Sequence, residues 1–294
     1  MKTTRPVPPW RVDLALAAVV LLWSLNFVIL KAVMPRFEPV ALAAVRFASI
    51  AALFEALLRL RGGGERIAPA DRRAFALSAL AGYTLYQGLF VVGLSQTSAF
   101  STALMINTGP LWAAVILTAA RIEPITARQW AGVVLALAGL GVYLGPRLVT
   151  GAPAGLGDLL GLGAAVSWTV YGILNRPLLG RYSAFFLTTR TFQIGAAGFL
   201  PFALPAVLRQ DWTGVGWAGW AAVGYSVVFP IVVAVSLWNW AIRQRGVART
   251  VIYQYLVPVA SGVLSWVLLG ESFGPWKLAG AALVLVGVAL SRRV

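Results

Sequence analysis

Residues 96–139 read QTSAFSTALMINTGPLWAAVILTAARIEPITARQWAGVVLALAG, and residues 244–287 read QRGVARTVIYQYLVPVASGVLSWVLLGESFGPWKLAGAALVLVG. Adding 148 carries Gln96, Thr102, Pro110, Glu123, Gly132 and Gly139 onto Gln244, Thr250, Pro258, Glu271, Gly280 and Gly287 without a gap, and 10 of the 44 positions are identical. Four of the matches (Val115, Ala131, Leu135, Leu137) are apolar and come cheaply in an Ala/Val/Leu-rich chain. The glutamine, proline, glutamate and two glycines in one register do not. An internal offset near half of 294 residues marks a duplicated protein.

Composition sets the solvent. With 60% hydrophobic residues, 11% charged residues and a mean hydropathy of +0.82, the chain lacks the polar surface that a water-soluble globule of this size needs. It reads as an integral membrane protein. Since a helix crosses hydrocarbon in about 20 residues, the length allows at most roughly ten crossings and leaves no stretch for a soluble catalytic domain. The net charge of +15 is carried by Lys and Arg between the apolar runs, where topology signals and anionic-lipid contacts belong, so nucleic acid is not an expected partner. Cys and His are both absent, which excludes disulfides, thiolate nucleophiles and imidazole bases and removes nearly all transition-metal ligand sets; no cofactor is expected. The amino-terminal apolar run continues for about twenty residues and matches a later copy of itself, so it is expected to be a retained first helix.

Breaks at charged, Pro or Gly clusters predict ten apolar helices at 13–33, 38–60, 73–94, 98–120, 126–145, 156–176, 183–208, 217–241, 247–269 and 275–291. With the amino terminus cytoplasmic, 17 Lys and Arg fall on that side and 5 on the other, with Arg46 and Arg190 inside segments, so the bias places both termini in the cytoplasm. The starts of the halves also correspond, Asp13, Trp23 and Phe47 matching Asp158, Trp168 and Phe192 at an offset of 145, and Gly82-Tyr83 recurs as Gly224-Tyr225. Residues 1–147 and 148–294 therefore form the two repeats. Five helices per repeat is odd, so the second copy enters the membrane from the opposite side, and the fold class is all-α with two inverted five-helix halves.

Inverted halves exchange conformations around a central site, which makes transport the leading function and a duplicated scaffold the alternative. Candidate ligand contacts are the polar and aromatic residues within spans. They comprise Trp23 and Asn26 on the first helix, Tyr83, Tyr86 and Gln87 on the third, Met105 on the fourth, Trp168 and Tyr171 on the sixth, Trp238 and Asn239 on the eighth, and Tyr253 and Gln254 on the ninth. A mid-span amide has two uses, helix–helix hydrogen bonding or cavity lining, and both stand. Arg46 and Arg190 are possible partners for a substrate carboxylate, against a structural pairing with Glu55 or a backbone carbonyl. Pro110, Pro230 and Pro258 each remove a backbone hydrogen bond within a span and are read as kinks, either hinges or static. Glu123 and Glu271 close the fourth and ninth helices and read as frame. The glycines at 132, 139, 280 and 287 serve close helix packing, within the fold or in a dimer. There is no G-x-x-x-x-G-K-[ST] loop, and no Asp or Glu falls at mid-span, so neither ATP nor a proton relay is indicated.

Trp23, Ser24, Asn26, Arg46, Pro110, Glu123 and Gly132 in one half, with Trp168, Arg190, Pro258, Glu271 and Gly280 in the other, resemble the drug/metabolite transporter superfamily, EamA type, over essentially the whole chain. Within it, the short termini and aromatic interior look like the bacterial inner-membrane exporters of aromatic and other neutral amino acids. The resemblance implies a basket-shaped bundle in which the first, third, fourth, sixth, eighth and ninth helices surround a central cavity. The cationic-drug exporters of the superfamily use a membrane-embedded Glu on the first helix, where this chain has Trp23 and Asn26, so that activity is disfavoured. A nucleotide-sugar or organic-phosphate exchanger would want more cavity-facing cations than Arg46 and Arg190. The expected partners are a small-molecule substrate and the bilayer.

Overall fold

The computed structural model describes residues 8–60, 65–121, 126–149, 153–245, 249–250 and 252–291, and no strand occurs among them. Nine described helical segments are long and apolar enough to cross a membrane: α1 Pro9–Arg36, α2 Pro39–Leu60, α3 Pro69–Gln96, α4 Ala99–Ala119, α5 Ala127–Leu144, α6 Gly155–Gly180, α7 Ala184–Arg209, α8 Thr213–Ile242 and α9 Ile252–Leu269. A shorter apolar helix, α10 Pro275–Ser291, follows. Each coincides with one of the expected segments. In hydrocarbon the backbone has no water to bond, so a chain this apolar satisfies its amides within helices.

The irregular turns fall where sequence forces them. Pro110 is the second residue of the helical piece Gly109–Ala119, and Pro258 the third of Leu256–Leu269. Each therefore sits in a first turn, where a missing N–H costs little. The expected mid-helix kinks at these two positions are instead breaks with a restart. At the first break the Asn107 side chain donates to the Ala103 carbonyl at 2.9 Å, and Thr108 Oγ1 donates to the Met105 carbonyl at 2.6 Å, which satisfies groups the interruption exposes. Pro230 behaves differently, lying inside a π-helical turn, Val228–Val233, in α8. A second π turn, Leu80–Leu85, occupies α3. Glu123 lies outside the described residues.

The packing of helices crosses the two halves. α1 packs on α8 and α9, and α6 packs on α3 and α4, while α2 meets α7 and α5 meets α10. Glycine sets the last contact: a Cβ on Gly132 would stand 2.3 Å from the Ser291 amide, and one on Gly287 would stand 2.3 Å from the Ala136 amide. Gly139 and Gly280 do the same one heptad along, at 2.6 Å from the Val284 amide and 2.7 Å from the Tyr143 amide. All four repeated glycines serve this one crossing within the chain.

Two hydrogen bonds express the repeat in three dimensions. Ser24 Oγ on α1 donates to the Val257 carbonyl at 3.1 Å, and Thr169 Oγ1 on α6 shares its proton between the Gly109 carbonyl at 3.1 Å and the Ala165 carbonyl of its own helix at 2.8 Å. Ser24 and Thr169 are 145 apart, Gly109 and Val257 are 148 apart, and each carbonyl immediately precedes a repeated proline. The leading helix of each half is thus fastened to the proline turn of the other.

Candidate functional site

Glycine also builds the aromatic cluster between α3, α6 and α7. Gly82 leaves the α3 backbone bare, so that the Tyr171 ring lies against it; a Cβ there would be 2.2 Å from Tyr171 Cδ2. Gly195 on α7 likewise admits Tyr83, whose Cβ would be 2.5 Å from an added methyl. The rings then meet edge to face or tilted. Tyr83 stands 5.2 Å from Tyr171, 6.0 Å from Trp168 and 4.7 Å from Phe192 between centroids, and Trp168 stands 4.8 Å from Tyr171 and 5.1 Å from Tyr86. Tyr86 stacks in parallel on Phe90 at 5.9 Å. The hydroxyls form a chain: Tyr83 and Tyr171 share a bond of 3.1 Å, Tyr171 reaches Thr191 Oγ1 at 3.5 Å, and Thr191 donates to the Leu187 carbonyl at 2.7 Å. Buried phenols are partnered in this way, and of the four rings Tyr83, Tyr86, Trp168 and Tyr171 the most exposed is Trp168, at 43%.

The matching region on α1 and α8 is organised otherwise. Trp23 Nε1 donates to the Pro230 carbonyl in the π turn at 3.1 Å, and its ring is tilted against Trp238 at 5.2 Å. Tyr225, the counterpart of Tyr83, donates to the Leu22 carbonyl at 3.0 Å. Tyr171 corresponds to Asn26, a shorter side chain, and beside Gly224, the counterpart of Gly82, nothing lies within 4 Å of an added Cβ. One region is filled and the other is open. Asn26 Oδ1 is buried without a hydrogen-bond partner, as is Gln87 Nε2 on the facing α3.

The two intramembrane arginines separate cleanly. Arg190 Nη1 lies 2.9 Å from Glu55 Oε2 and 2.7 Å from Gln193 Oε1, so it is neutralised at the α2–α7 contact. Arg46 is 6% exposed, its Nε donates to Ser226 Oγ at 2.9 Å, and its Nη1 is buried without a partner. Its ring neighbourhood begins next door, because Phe47 meets Phe192 at 4.8 Å. At the offset that pairs Phe47 with Phe192, Arg46 corresponds to Thr191, so only one half carries the cation.

Other candidates fall away from these clusters. Met105 is fully buried in the core of α4, α5 and α10, against Gly161. Tyr253 donates to Asp13 Oδ1 at 2.5 Å, where Arg245 also pairs, at the start of α1. Asn239 is exposed, and Gln254 is half-buried in the 3₁₀ turn Ile252–Tyr255. Glu271 accepts from the Ala99 amide at 3.0 Å and so caps α4 from the far half, as frame. Ser226, Thr169 and Thr191 were not among the expected site residues, and Phe192 entered only as the repeat partner of Phe47. Thr169 was findable as the hydroxyl opposite Ser24 in the repeat; Ser226 carries no signal until Arg46 is seen beside it.

The pattern described as the EamA-like transporter family matches the chain twice, over residues 10–145 and 155–293. An uncharacterized transporter of Archaeoglobus fulgidus is 26% identical over 290 residues, covering 96% of this chain and 97% of its own. A probable terminal-alkyne amino-acid exporter of Streptantibioticus cattleyicolor is 28% identical, with 95% and 92% covered, and the uncharacterized inner membrane transporter YedA of Escherichia coli is 25% identical, with 94% and 89% covered. One solved crystal structure shares the fold with a TM-score of 0.63 at 22% identity, covering 97% of this chain and 98% of that one.

Proposed function

We propose that this chain, which belongs to the EamA-like transporter family, exports small amphipathic metabolites, above all aromatic and other neutral amino acids, across the bacterial cytoplasmic membrane by alternating access. The observation that carries the reading is the cluster of Tyr83, Tyr86, Trp168 and Tyr171, whose ring faces suit an aromatic or apolar side chain and which lies where the two repeats meet. The unpartnered Nε2 of Gln87, next to Tyr86 in the chain, and the unpartnered Oδ1 of Asn26 on α1 supply hydrogen-bonding capacity. The amino-acid exporter among the relatives supports the same substrate class.

In this reading all ten helices cross, both termini are cytoplasmic, and residues 1–147 and 148–294 are inverted copies that exchange conformations around the site. Flux follows the substrate's own gradient. An organic-phosphate exchanger is disfavoured because Arg190 is already paired with Glu55, so that of the two mid-span arginines only Arg46 has no carboxylate partner. Flux into proteoliposomes, measured for a panel of amino acids, sugar phosphates and cationic dyes, tests the proposal. Phenylalanine or leucine flux above that of empty vesicles is the expected result; no amino-acid flux, or acceleration by an imposed pH gradient, would contradict the export class or the facilitative mechanism respectively.

A further inference from the structure

Arg46 is a buried guanidinium with no anion. Each described acid makes its contacts with other groups: Glu55 with Arg59 and Arg190, Asp71 with Arg181, Asp13 with Arg245, Asp158 with Thr97, and Glu271 through Oε1 with the Ala99 amide, its Oε2 being buried without a partner. Glu38, Glu65 and Asp211 accept from the backbone amides of Ala41, Ser183 and Thr213. Ser226 supplies one neutral oxygen to Nε, and Nη1 is left buried with none. An uncompensated cation in a low-dielectric interior is costly, and a native chain keeps one where a ligand's charge completes it. A guanidinium is the side chain best shaped for a carboxylate, which it grips with two parallel hydrogen bonds.

The converse holds for the substrate's other charge. Among the described residues, no carboxylate accompanies Arg46 or the aromatic cluster, so an α-ammonium group would meet only ring faces, hydroxyls and the neutral amides of Asn26 and Gln87. Phe192 links the two parts, since its ring stands 4.7 Å from Tyr83 and 4.8 Å from Phe47, the chain neighbour of Arg46.

Resting on the amino-acid reading above, we infer that the site recognises its substrate through the carboxylate and the apolar side chain and makes no ionic contact with the amino group. Aromatic monocarboxylates that lack the amino group, such as 2-oxo acids, are therefore substrates of the same site, and the corresponding amines are not. One negative charge is met by one positive charge, and the rest of the ligand is held by neutral groups.

The test uses the full-length protein in proteoliposomes, with labelled phenylalanine and phenylpyruvate as transported probes and phenethylamine as a competitor. Phenylpyruvate flux is expected within about three-fold of phenylalanine flux, with no competition by phenethylamine. Arg46→Gln is expected to raise the KM for both carboxylates roughly ten-fold or more, and Arg46→Lys to recover part of it. If Arg46→Gln fails to fold, competition by phenylpyruvate against phenylalanine on the unmodified protein decides alone. Phenylalanine flux without phenylpyruvate flux or competition, or with inhibition by phenethylamine, overturns the inference and leaves amino-acid export standing. Flux of neither probe above empty vesicles removes the amino-acid reading itself.

Discussion

The α1–α8–α9 region and the α6–α3–α4 region share a skeleton and differ in their lining. Ser24 and Thr169 make corresponding hydrogen bonds to the carbonyls before Pro258 and Pro110, and Asp13 and Asp158 meet corresponding partners, Arg245 and Thr97. Yet Trp23 is tied to a backbone carbonyl and to Trp238, whereas Trp168 is 43% exposed and faces three tyrosines. One substitution propagates: where the second half has Tyr171 filling the notch at Gly82, the first has Asn26 and leaves Gly224 open. Duplication supplied two similar frames, and the divergence of a few side chains packed rings against Gly82 and left Gly224 bare. A binding site for an asymmetric molecule needs that difference, because a two-fold symmetric site would offer the same groups to both ends of the ligand.

The largest effect is expected in the shared frame. Gly287→Val drives a side chain into the Ala136 backbone, which cannot yield, and overpacking of this kind costs about 1–3 kcal/mol or more. Loss of monodisperse protein in detergent and a lowered Tm should follow, whereas Gly224→Ala, facing open space, leaves both unchanged. Equal damage at both positions would break the distinction between frame and lining. Next in size is a split between the tryptophans. Trp168→Ala removes ring contacts and should raise the KM for aromatic substrates roughly ten-fold with little change in kcat, since stacking of this type is worth about 0.5–1.5 kcal/mol beyond area burial. Trp23→Ala frees the Pro230 carbonyl in the π turn and should act mainly on kcat. Identical KM shifts would mean that the two regions bind alike. The smallest effect belongs to the hydroxyl pair. Ser24→Ala and Thr169→Val should each lower stability by about 0.6 kcal/mol, the typical worth of an interhelical bond in a membrane protein, and the double variant should be additive because the two bonds share no atoms. Unequal or strongly coupled values in a thermal-shift cycle would show that the frames are not equivalent.

Much of the frame was legible in the chain because hydrocarbon imposes length and periodicity on any span, and because a repeated glycine or proline is hard to keep by accident. The glycines at 132, 139, 280 and 287 therefore pointed to close packing, and the structure adds that α5 and α10 are each other's partners. The lining was less legible. Trp23 and Trp168 look equivalent in sequence, since nothing in either helix announces the π turn of α8 that bonds one of them. Met105 sits in a polar-looking neighbourhood of Asn107 and Thr108, whose polar groups prove to be spent on local carbonyls. Arg46 on α2 and Arg190 on α7 carry the same charge, and only the position of Glu55 across the α2–α7 contact tells them apart.

The crossed fastening of α1 has a consequence for biogenesis. Trp23 and Ser24 find their partners 207 and 233 residues later in the chain. At a synthesis rate of roughly 5–20 residues per second, the leading helix waits on the order of ten to forty seconds in the bilayer before α8 and α9 arrive to receive it. During that interval Trp23 and Ser24 lack the carbonyls they bond in the folded chain, and lipid or the insertion machinery must shelter them. The first five helices thus complete a repeat in sequence without completing a folding unit, and a ribosome halted after residue 147 would hold a chain whose first helix still lacks its seat.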